Sequence, residues 1–323
     1  PLADLGLGDS DFANIYAYTD EIGKSSDGVR KGVSWQAAAG GFQYRSDLAQ
    51  EYLGVTSPEE MQAAIGDWDK FVEAAQTVSE KSSGKTALAD TLGGMWQAYA
   101  CGRTTPWVVD NALQIDDFCK EFADTAKALW DCGGVTKNGQ WTDEWTAAGT
   151  NDTCMGYFVS TWGFGSFALD AAGGEGGATY GKWAVCQGPQ PFFWGGTWIV
   201  VNPKTDNGEE ARDFIISATS NDDQMSTYAV NKPEYVNNSK VMDDLISSNT
   251  VFNLGGQNFY AELADNAKTI DFNGLITPYD ATIKTDFINV VKEQYLEGGA
   301  SWDDTVEAFK DKIAEDVTAI DVE

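Results

Sequence analysis

The sequence predicts an α/β fold, because short apolar segments typical of buried strands alternate with longer amphipathic segments typical of helices. One such strand covers 199–201 and is followed by Asn202 and Pro203, residues that favour a turn. With 323 residues the chain can bury a large core, and its length favours two domains over one. The expected architecture is therefore an α/β protein of two domains.

Helix-end signals place the predicted elements of the first half of the chain. Ser57 is predicted to cap a helix that has Pro58 at its first position and extends to Lys81. Gly54 and Gly133 each follow a helical pattern, as glycine does where a helix ends. In chain order, the sequence predicts a strand over 28–35, helices over 45–54 and 57–81, a strand over 85–90, helices over 95–102 and 116–134, and a strand over 153–160.

The second half of the chain continues this alternation and then becomes mostly helical. Strands are predicted over 181–189 and 199–201, and a helix follows over 207–220. The remaining predicted helices cover 243–248, 259–270, 285–298 and 301–317. No internal repeat and no low-complexity linker interrupts the sequence of elements.

The charge of the chain limits the partners that it can have. Fifty acidic residues against 21 basic residues give a formal net charge of −29 at pH 7, spread along the chain rather than gathered in a tail. Such a field repels nucleic acids and anionic membranes, because binding phosphate groups needs clustered Lys and Arg. No apolar segment approaches the about 18 residues of a membrane span. The composition therefore favours a neutral or cationic ligand.

Residue types that the sequence lacks exclude several classes of catalytic and metal site. There is no histidine, which removes Ser-His-Asp and Cys-His catalysis and zinc sites that use histidine. The five cysteines contain no C-x-x-C pair. Cys154 and Cys186 lie in strand-like segments and could pair, whereas Cys119 and Cys132 lie about 20 Å apart along one predicted helix. We therefore expect no catalytic residue, no metal site and no cofactor.

A phosphate-binding motif is present only in part. The segment from Gly176 to Lys182 matches G-x-x-x-x-G-K, but Trp183 follows where a P-loop needs Ser or Thr for magnesium. The glycines also follow a helix-like segment, FALDAAGG, rather than a strand, so a surface loop is the better interpretation.

Aromatic residues are numerous, and many stand beside glycines. The segment QPFFWGGTWIVVNP, residues 190–203, places two Trp and two Phe around Gly195 and Gly196, directly before a strand. Glycine lets a ligand approach the backbone, and a flat apolar ring beside it can stack on that ligand. Sugar rings suit such a surface, because their C–H faces stack on aromatic rings while their hydroxyls bond polar side chains.

Several segments resemble the extracellular solute-binding proteins of carbohydrate ABC importers, the maltose-binding-like family, in order along nearly the whole chain. GVSWQAAAGGFQYRSDLAQEYLG at 32–54 is similar to a crossover followed by a Y-R-x-D-L helix, and EEMQAAIGDWDKFVEAAQTV at 59–78 resembles the next helix. Four later segments resemble successive segments of the family: GKTALAD, TCMGYFVSTWGFGS, GKWAVCQGPQPFFWGGTWIVVNPK and YLEGGASWDDTVEAFKDKI. Ser34, where proline is common, and Gly94, where some members carry an acidic sugar contact, depart from the pattern.

This resemblance implies a periplasmic-binding-protein-like fold, in which crossover strands join two α/β lobes and the ligand binds in the cleft. The chain would cross between lobes at 34–36, at 194–198 and near Lys232 and Pro233. The implied lobes are residues 1–34 with 195–232 for lobe 1, and residues 35–194 with 233–323 for lobe 2.

By this resemblance the chain begins well inside lobe 1. Residues 1–34 and 195–232 are too few to bury a core of their own, because domains below about 40 to 60 residues are marginal. We therefore expect that the rest of lobe 1 was removed, lies on another chain or is missing from this sequence.

The resemblance also implies a function. The protein would capture an oligosaccharide outside the membrane and deliver it to the transmembrane permease subunits of an ABC importer. Hinge closure around the sugar would select the form that the permease recognises. The protein would be a monomer without enzymatic activity, and either a cell-surface lipoprotein or a periplasmic protein.

The candidate ligand-binding residues that the resemblance implies lie at strand ends, at the crossings and at the start of a C-terminal helix. They are Trp35, Gln36, Trp96, Arg103, Trp162, Trp194, Trp198, Tyr279 and Asp280. Trp96 and Trp162 stand where the family places stacking aromatics, and Arg103 would bond sugar hydroxyls.

Two other function classes remain open. A binding protein for a polyamine would suit the negative charge, because capture of a polyamine needs carboxylates beside aromatic rings; a peptide is a further possible solute. A glycoside-active enzyme is the second alternative, although no pair of carboxylates gives it specific support.

Overall fold

The structure is a computed structural model that describes residues 1–165, 176–249, 255–272 and 274–322. The helix-like segment predicted directly before Gly176 lies outside the described residues. None of the helices in the described ranges is both long enough and apolar enough to cross a membrane.

Helices and strands alternate through the first two thirds of the chain, and helices alone fill the last third of the described ranges. The strands are β1 Gly32–Ser34, β2 Gly40–Arg45, β3 Ala87–Ala89, β4 Val108–Val109, β5 Ala112–Leu113, β6 Cys154–Ser160, β7 Trp183–Cys186 and β8 Trp198–Val200. The helices are α1 Ala17–Ile22, α2 Ser46–Leu53, α3 Pro58–Ile65, α4 Trp68–Lys81, α5 Leu92–Tyr99, α6 Asp117–Asp131, α7 Asp143–Ala148, α8 Thr161–Gly165, α9 Gly208–Thr219, α10 Asp222–Asn231, α11 Ser239–Ser247, α12 Phe259–Thr269, α13 Asp280–Val290, a π-helical segment Val291–Glu297 and α14 Trp302–Asp316.

Contacts within the chain divide it into two compact units. The first unit comprises Pro1–Ser46 and Phe158–Asp271, and the second comprises Asp47–Tyr157 and Phe272–Glu323. These bounds differ from those of the predicted lobes, and the lobe assignment stays a prediction.

The first unit is built on short strands that pair across long sequence distances. Strand β1 is antiparallel to β8, with Val33 opposite Ile199. Strand β2 is antiparallel to β7, and the end of β6 lies along its other edge. Helix α12 packs on β2 and β7, whereas α9 packs beside β1.

A small hydrophobic cluster in the first unit joins the N-terminal segment to the segment around β8 and α9. Its buried members are Leu2, Leu7, Phe12, Val33 and Ile215. All five residues come from 1–34 and 195–232, the two stretches that the sequence assigns to lobe 1. These stretches therefore bury apolar side chains against each other.

The second unit is mainly helical. Strand β3 runs parallel to β6, with Ala87 opposite Cys154 and Ala89 opposite Gly156. The hairpin of β4 and β5 follows α5 and pairs Val108 with Leu113. Helix α4 packs on β3 and α6, whereas α6, α13 and α14 pack against the π-helical segment.

The predicted helix over 57–81 is two helices rather than one. Its start is confirmed, because the Ser57 side chain accepts a hydrogen bond from the Glu60 amide at 3.2 Å with Pro58 at the first position. The helix ends at Gly66, and Asp67 caps a second helix by accepting from the Lys70 amide at 2.8 Å. The prediction of a single helix is wrong. Apolar residues recur at helical spacing through both helices, so the pattern alone hides the break at Gly66 and the new cap at Asp67.

Strand β2 lies inside a segment that is not predicted as a strand from the sequence, and it begins with two glycines, which strands disfavour. Phe42 to Arg45 alternate apolar and polar side chains, as in a half-exposed strand, yet all six residues of Gly40–Arg45 are buried. Gly40 packs so closely on Phe192 that a Cβ atom would lie 2.1 Å from the ring. This glycine is therefore needed for packing.

The cysteines of the chain are all free thiols, so the possible pairing of Cys154 with Cys186 is wrong. The Cys154 thiol instead donates to the Gly156 carbonyl at 3.0 Å, inside the β6 backbone. Burial raises the pKa of the Cys186 thiol, which keeps it protonated. Both residues therefore serve as small core side chains.

Candidate functional site

Two tryptophans of the first unit form a corner at the glycine pair. Trp162, in the short helix α8 that follows β6, donates its indole N–H to the Trp194 carbonyl at 2.8 Å. The two rings stand at 82° to each other with centroids 5.2 Å apart, the edge-to-face geometry that aromatic pairs prefer. Both side chains are half-buried. Each ring is thus held in place while part of its surface stays open to solvent.

Gly195 and Gly196 are required by this tryptophan corner. Both have positive φ, +92° and +90°, a backbone conformation that residues with a Cβ atom rarely adopt. A Cβ atom on Gly195 would lie 3.1 Å from the Trp162 indole nitrogen, and one on Gly196 would lie 2.9 Å from the Trp198 ring. The glycine pair therefore lets the backbone pass between indole rings that a larger residue would push apart.

Trp198 begins β8 and is anchored on the other side of the glycine pair. Its indole N–H donates to the Thr19 carbonyl at 3.1 Å, and its ring stands edge-on to Phe193. The side chain is half-buried. The structure thus places Trp162, Trp194 and Trp198 around the glycine pair.

Trp35 lines an apolar groove of about 840 Å³ in the first unit. Phe214 and Tyr228 supply two further aromatic walls, and Phe214 is 61% exposed. The side-chain amides of Gln224 and Asn231 also line this groove. Trp35 is therefore part of a surface made by α9 and α10, which the sequence did not connect with it.

Gln36 is itself buried, with only 8% of its surface exposed, and it is tied to a buried carboxylate. Its amide nitrogen donates to Glu234 Oε2 at 2.9 Å, and the Thr161 hydroxyl donates to Glu234 Oε1. Burial raises the pKa of Glu234 to about 6, and the hydrogen bonds from Thr161 and Gln36 act in the opposite direction. Because Thr161 directly precedes Trp162, this network joins Gln36 to the tryptophan corner.

Trp96 lies in the core of the second unit. It is only 1% exposed, and its ring packs against Phe122 and Phe287 with centroids 4.4 and 4.9 Å away. Its indole N–H donates to the Lys284 carbonyl at 3.0 Å. The position predicted for a stacking aromatic therefore presents almost no ring surface to solvent.

Arg103 is also buried, and its guanidinium is engaged within the second unit. It donates to the carbonyls of Thr105 and Gln114 at 2.5 and 2.8 Å, and it lies over the Trp107 ring at 3.6 Å. Its ion pair with Asp116 measures 3.6 Å. These contacts hold the hairpin of β4 and β5 in place and leave little capacity for a sugar hydroxyl.

Tyr279 and Asp280 stand at the start of α13 in the second unit, both half-buried. Asp280 accepts hydrogen bonds from the Thr277 hydroxyl at 2.5 Å and the Thr277 amide at 3.2 Å. Burial raises the pKa of Asp280 above its ordinary value. The pair keeps some exposed surface, as a ligand contact requires.

Sequence reasoning misses two residues with functional potential. Glu234 is one of fifty acidic residues, and no local pattern singles it out. Trp141 is 59% exposed, and its ring stands edge-on to Trp145, whose indole N–H donates to the buried Asp90 at 2.7 Å. The spacing of two tryptophans around the helix cap at Thr142 is a signal that could have indicated Trp141.

The geometry of these residues offers surfaces on which a solute can bind. Half-buried indole rings, amides and hydroxyls offer stacking surfaces and neutral hydrogen bonds. Across the residues that the structure describes, no three Asp, Glu or Cys side chains converge to hold a metal ion.

Solved structures share this fold. An extracellular solute-binding protein of family 1 superimposes with a TM-score of 0.83 at 18% identity, over 97% of this chain and 79% of the other. The galacto-N-biose/lacto-N-biose I-binding protein of Bifidobacterium longum gives 0.70 at 16% identity, over 96% and 75%. An ABC transporter-associated binding protein of B. animalis subsp. lactis, in complex with β-1,6-galactobiose, gives 0.73 at 19% identity, over 94% and 77%. The predicted periplasmic-binding-protein-like α/β fold is confirmed.

The sequence itself matches a described protein family. No individual curated protein matches the sequence, but a family model does. The family model described as bacterial extracellular solute-binding protein matches residues 1–244, which is most of the chain. The chain therefore belongs to the bacterial extracellular solute-binding protein family.

Proposed function

We propose that this protein captures an oligosaccharide outside the cytoplasmic membrane and delivers it to the permease of an ABC importer. Binding would select a closed form by hinge closure, and the permease would recognise that form. The protein acts as a monomeric carrier without catalytic activity, located in the periplasm or anchored to the cell surface as a lipoprotein.

The observation that carries this proposal is the tryptophan corner of the first unit. Trp162 and Trp194 are held at right angles by a hydrogen bond to backbone, and both retain open ring surface. A rigid, half-buried indole loses little conformational freedom when a sugar face stacks on it, so more of the stacking energy contributes to affinity. Gln36 donates to Glu234, which also accepts from Thr161, and these bonds brace the start of the helix that carries Trp162.

We propose fewer ligand contacts than the family resemblance implies. Trp162 and Trp194 form the centre, and Trp35 and Trp198 flank it. Gln36 is left out as a direct contact, because it is only 8% exposed and its amide nitrogen donates to Glu234. Tyr279 and Asp280 are the proposed contacts of the second unit, because both keep exposed surface. Trp96 and Arg103 are left out because both side chains are buried, and because the indole N–H and the guanidinium already donate to backbone carbonyls.

The solutes of structurally similar proteins support a sugar. The two proteins from Bifidobacterium longum and B. animalis are in complex with lacto-N-biose and β-1,6-galactobiose. The GacH receptor of Streptomyces glaucescens, with a TM-score of 0.70 at 13% identity, is in complex with acarbose. These ligands are oligosaccharides with apolar ring faces and many hydroxyls. The aromatic character of the proposed contacts fits the apolar faces of such sugars.

A cationic solute such as a polyamine is the second candidate, favoured by the net charge of −29. Carboxylates beside aromatic rings would bind ammonium groups by charge and cation–π attraction. Asp280, half-buried beside Tyr279, is the carboxylate proposed for that contact.

A thermal-shift screen separates the candidates. Lacto-N-biose, β-1,6-galactobiose, acarbose, maltotriose and spermidine would each be added at rising concentration to the purified chain. A ligand at about 100 times its Kd stabilises the folded form by about 2.7 kcal/mol, which raises the melting temperature measurably. A shift with a sugar and none with spermidine supports the proposal, and a shift with spermidine alone contradicts it. Turnover of an aryl-glycoside panel would favour an enzyme instead.

A further inference from the structure

Glu234 connects two stretches of the first unit that carry proposed ligand contacts. Its Oε2 accepts from the Gln36 amide nitrogen at 2.9 Å, and its Oε1 accepts from the Thr161 hydroxyl. The Thr161 hydroxyl oxygen also accepts the Tyr235 amide at 3.1 Å. The backbone adds a bridge between Gln36 and Val236. One carboxylate thus fastens the segment before β2 to the start of the helix that carries Trp162.

Among the residues that the structure describes, no positive charge compensates the buried Glu234 carboxylate. Its side chain is 2% exposed, and no lysine or arginine in the described part of the chain pairs with it. The ionisable groups that face it are the phenols of Tyr228 on α10 and Tyr260 on α12, whose pKa values are raised by burial and further by the charge of Glu234. Burial likewise raises the pKa of Glu234 to about 6, despite the two side-chain hydrogen bonds.

We propose that Glu234 is a positioning residue that holds Trp162 ready for the solute, and that taking up a proton at this carboxylate loosens Trp162 and weakens binding. This inference rests on the function proposed above. The family resemblance assigns no role to this position.

Protonation changes the hydrogen-bonding capacity of the carboxyl group. The ionised form accepts at both oxygens, which matches one donor from Gln36 and one from Thr161. The protonated form presents an O–H donor at one oxygen, where it meets another donor. At Oε2 the proton meets the Gln36 N–H, which must then turn away, whereas at Oε1 the Thr161 hydroxyl can turn its hydrogen aside and accept instead. In both cases a hydrogen bond to an ionised acceptor is replaced by a weaker neutral one. Since Thr161 directly precedes Trp162, a weaker bond between Thr161 and Glu234 loosens the tether of the tryptophan corner.

The first test needs no ligand. Tryptophan emission of the purified chain would be followed from about pH 8 to about pH 4.5, with an expected transition near the pKa of about 6. Glu234→Gln keeps the size of the side chain but cannot ionise, so the transition should disappear. Trp162→Phe should remove most of the amplitude, because it removes the reporter. A transition that persists unchanged in Glu234→Gln overturns the inference.

A melting curve at about pH 7.5 would show whether Glu234→Gln folds. If it does not fold, a second variant, Thr161→Val, tests the inference. The Thr161 hydroxyl lowers the pKa of Glu234 by stabilising its ionised form. Thr161→Val removes that hydroxyl, so the midpoint of the emission change should move to higher pH. An unmoved midpoint contradicts the inference. Glu209→Gln, at an exposed carboxylate in the same unit, is the matched control and should behave as the wild type.

The second test measures affinity by calorimetry with lacto-N-biose and β-1,6-galactobiose at two pH values. At about pH 5 only about a tenth of a carboxyl group with a pKa of about 6 is ionised, so affinity should fall about tenfold from about pH 7.5. Glu234→Gln should bind weakly and equally at both values. Equal wild-type affinity at both values overturns the inference while leaving the proposed function intact. If neither sugar binds, the proposed function fails for these sugars, and the emission experiment alone decides the inference.

Discussion

At the scale of single residues, the tryptophans divide by how much ring surface they keep. Trp96 is surrounded by Phe122, Phe287 and Trp107, and its indole N–H is used inside the second unit. Trp162 has its N–H satisfied as well, yet its side chain remains half-buried. The same residue type is thus a core side chain in one place and a candidate stacking surface in the other.

We expect Trp162→Ala to lower sugar affinity about ten- to a hundredfold. Losing an aromatic stacking partner costs on the order of 1 to 3 kcal/mol, taking base–aromatic stacking as a guide, and each 1.4 kcal/mol is about a factor of ten. Calorimetric titration beside a melting curve measures both effects.

Trp302→Ala is the matched control, because Trp302 is also half-buried and contacts an aromatic ring, Tyr295, but belongs to no proposed site. Its affinity should stay unchanged. If Trp162→Ala instead lowers the melting temperature strongly while the folded fraction binds normally, Trp162 is a core residue and the proposed site is wrong.

At the scale of elements, helix caps and glycines decide where segments begin and turn. Ser57 begins α3 and Asp67 begins α4, with Gly66 between the helices. In the first unit, Gly195 and Gly196 let the chain pass between indole rings before β8 starts at Trp198. Local chemistry thus sets the ends of elements, and packing sets their neighbours.

Replacing the cap of α3 should cost stability without affecting the site. Ser57→Ala leaves the Glu60 amide without its side-chain acceptor, an effect worth about 1 kcal/mol, or roughly 2 to 4 °C in melting temperature. Ser57→Asn keeps a capping oxygen and should melt close to the wild type. Thermal unfolding followed by circular dichroism measures both variants. Equal loss in the two variants would show that the cap is not the cause.

At the scale of the whole molecule, the net charge of −29 governs how solutes of different charge approach. A neutral sugar gains nothing from this field, whereas a polycation is attracted by it at low ionic strength. The large charge also disfavours close association of two copies of the chain. The salt dependence of affinity therefore distinguishes the two candidate ligand classes.

We expect sugar affinity to change less than about twofold when salt rises from about 20 to about 200 mM, because screening acts on charge pairs and a neutral ligand forms none. Titration calorimetry at several salt concentrations measures this dependence, and spermidine serves as the charged reference. A steep loss of affinity for the natural solute over that range would identify it as cationic and contradict the oligosaccharide proposal.

The sequence by itself determined the fold class, several helix ends and the excluded chemistry. Ser57, Gly54 and Gly133 marked helix ends correctly, because caps and glycine termini act within a few residues of chain. The lack of histidine removes whole classes of catalysis on chemical grounds alone. The tryptophans around Gly195 and Gly196 are also recognisable, since stacking and close backbone approach need those residue types.

Only the tertiary structure decided which of these residues are buried and what they contact. Trp96 and Trp162 both follow a predicted strand, yet aromatic side chains of α6 and α13 close over Trp96, whereas Trp162 stays half-open. Glu234 is one of fifty acidic residues in the sequence, but Gln36 and Thr161 reach it from far away along the chain. Burial and pKa depend on groups that arrive from distant parts of the chain, so a local pattern cannot predict them.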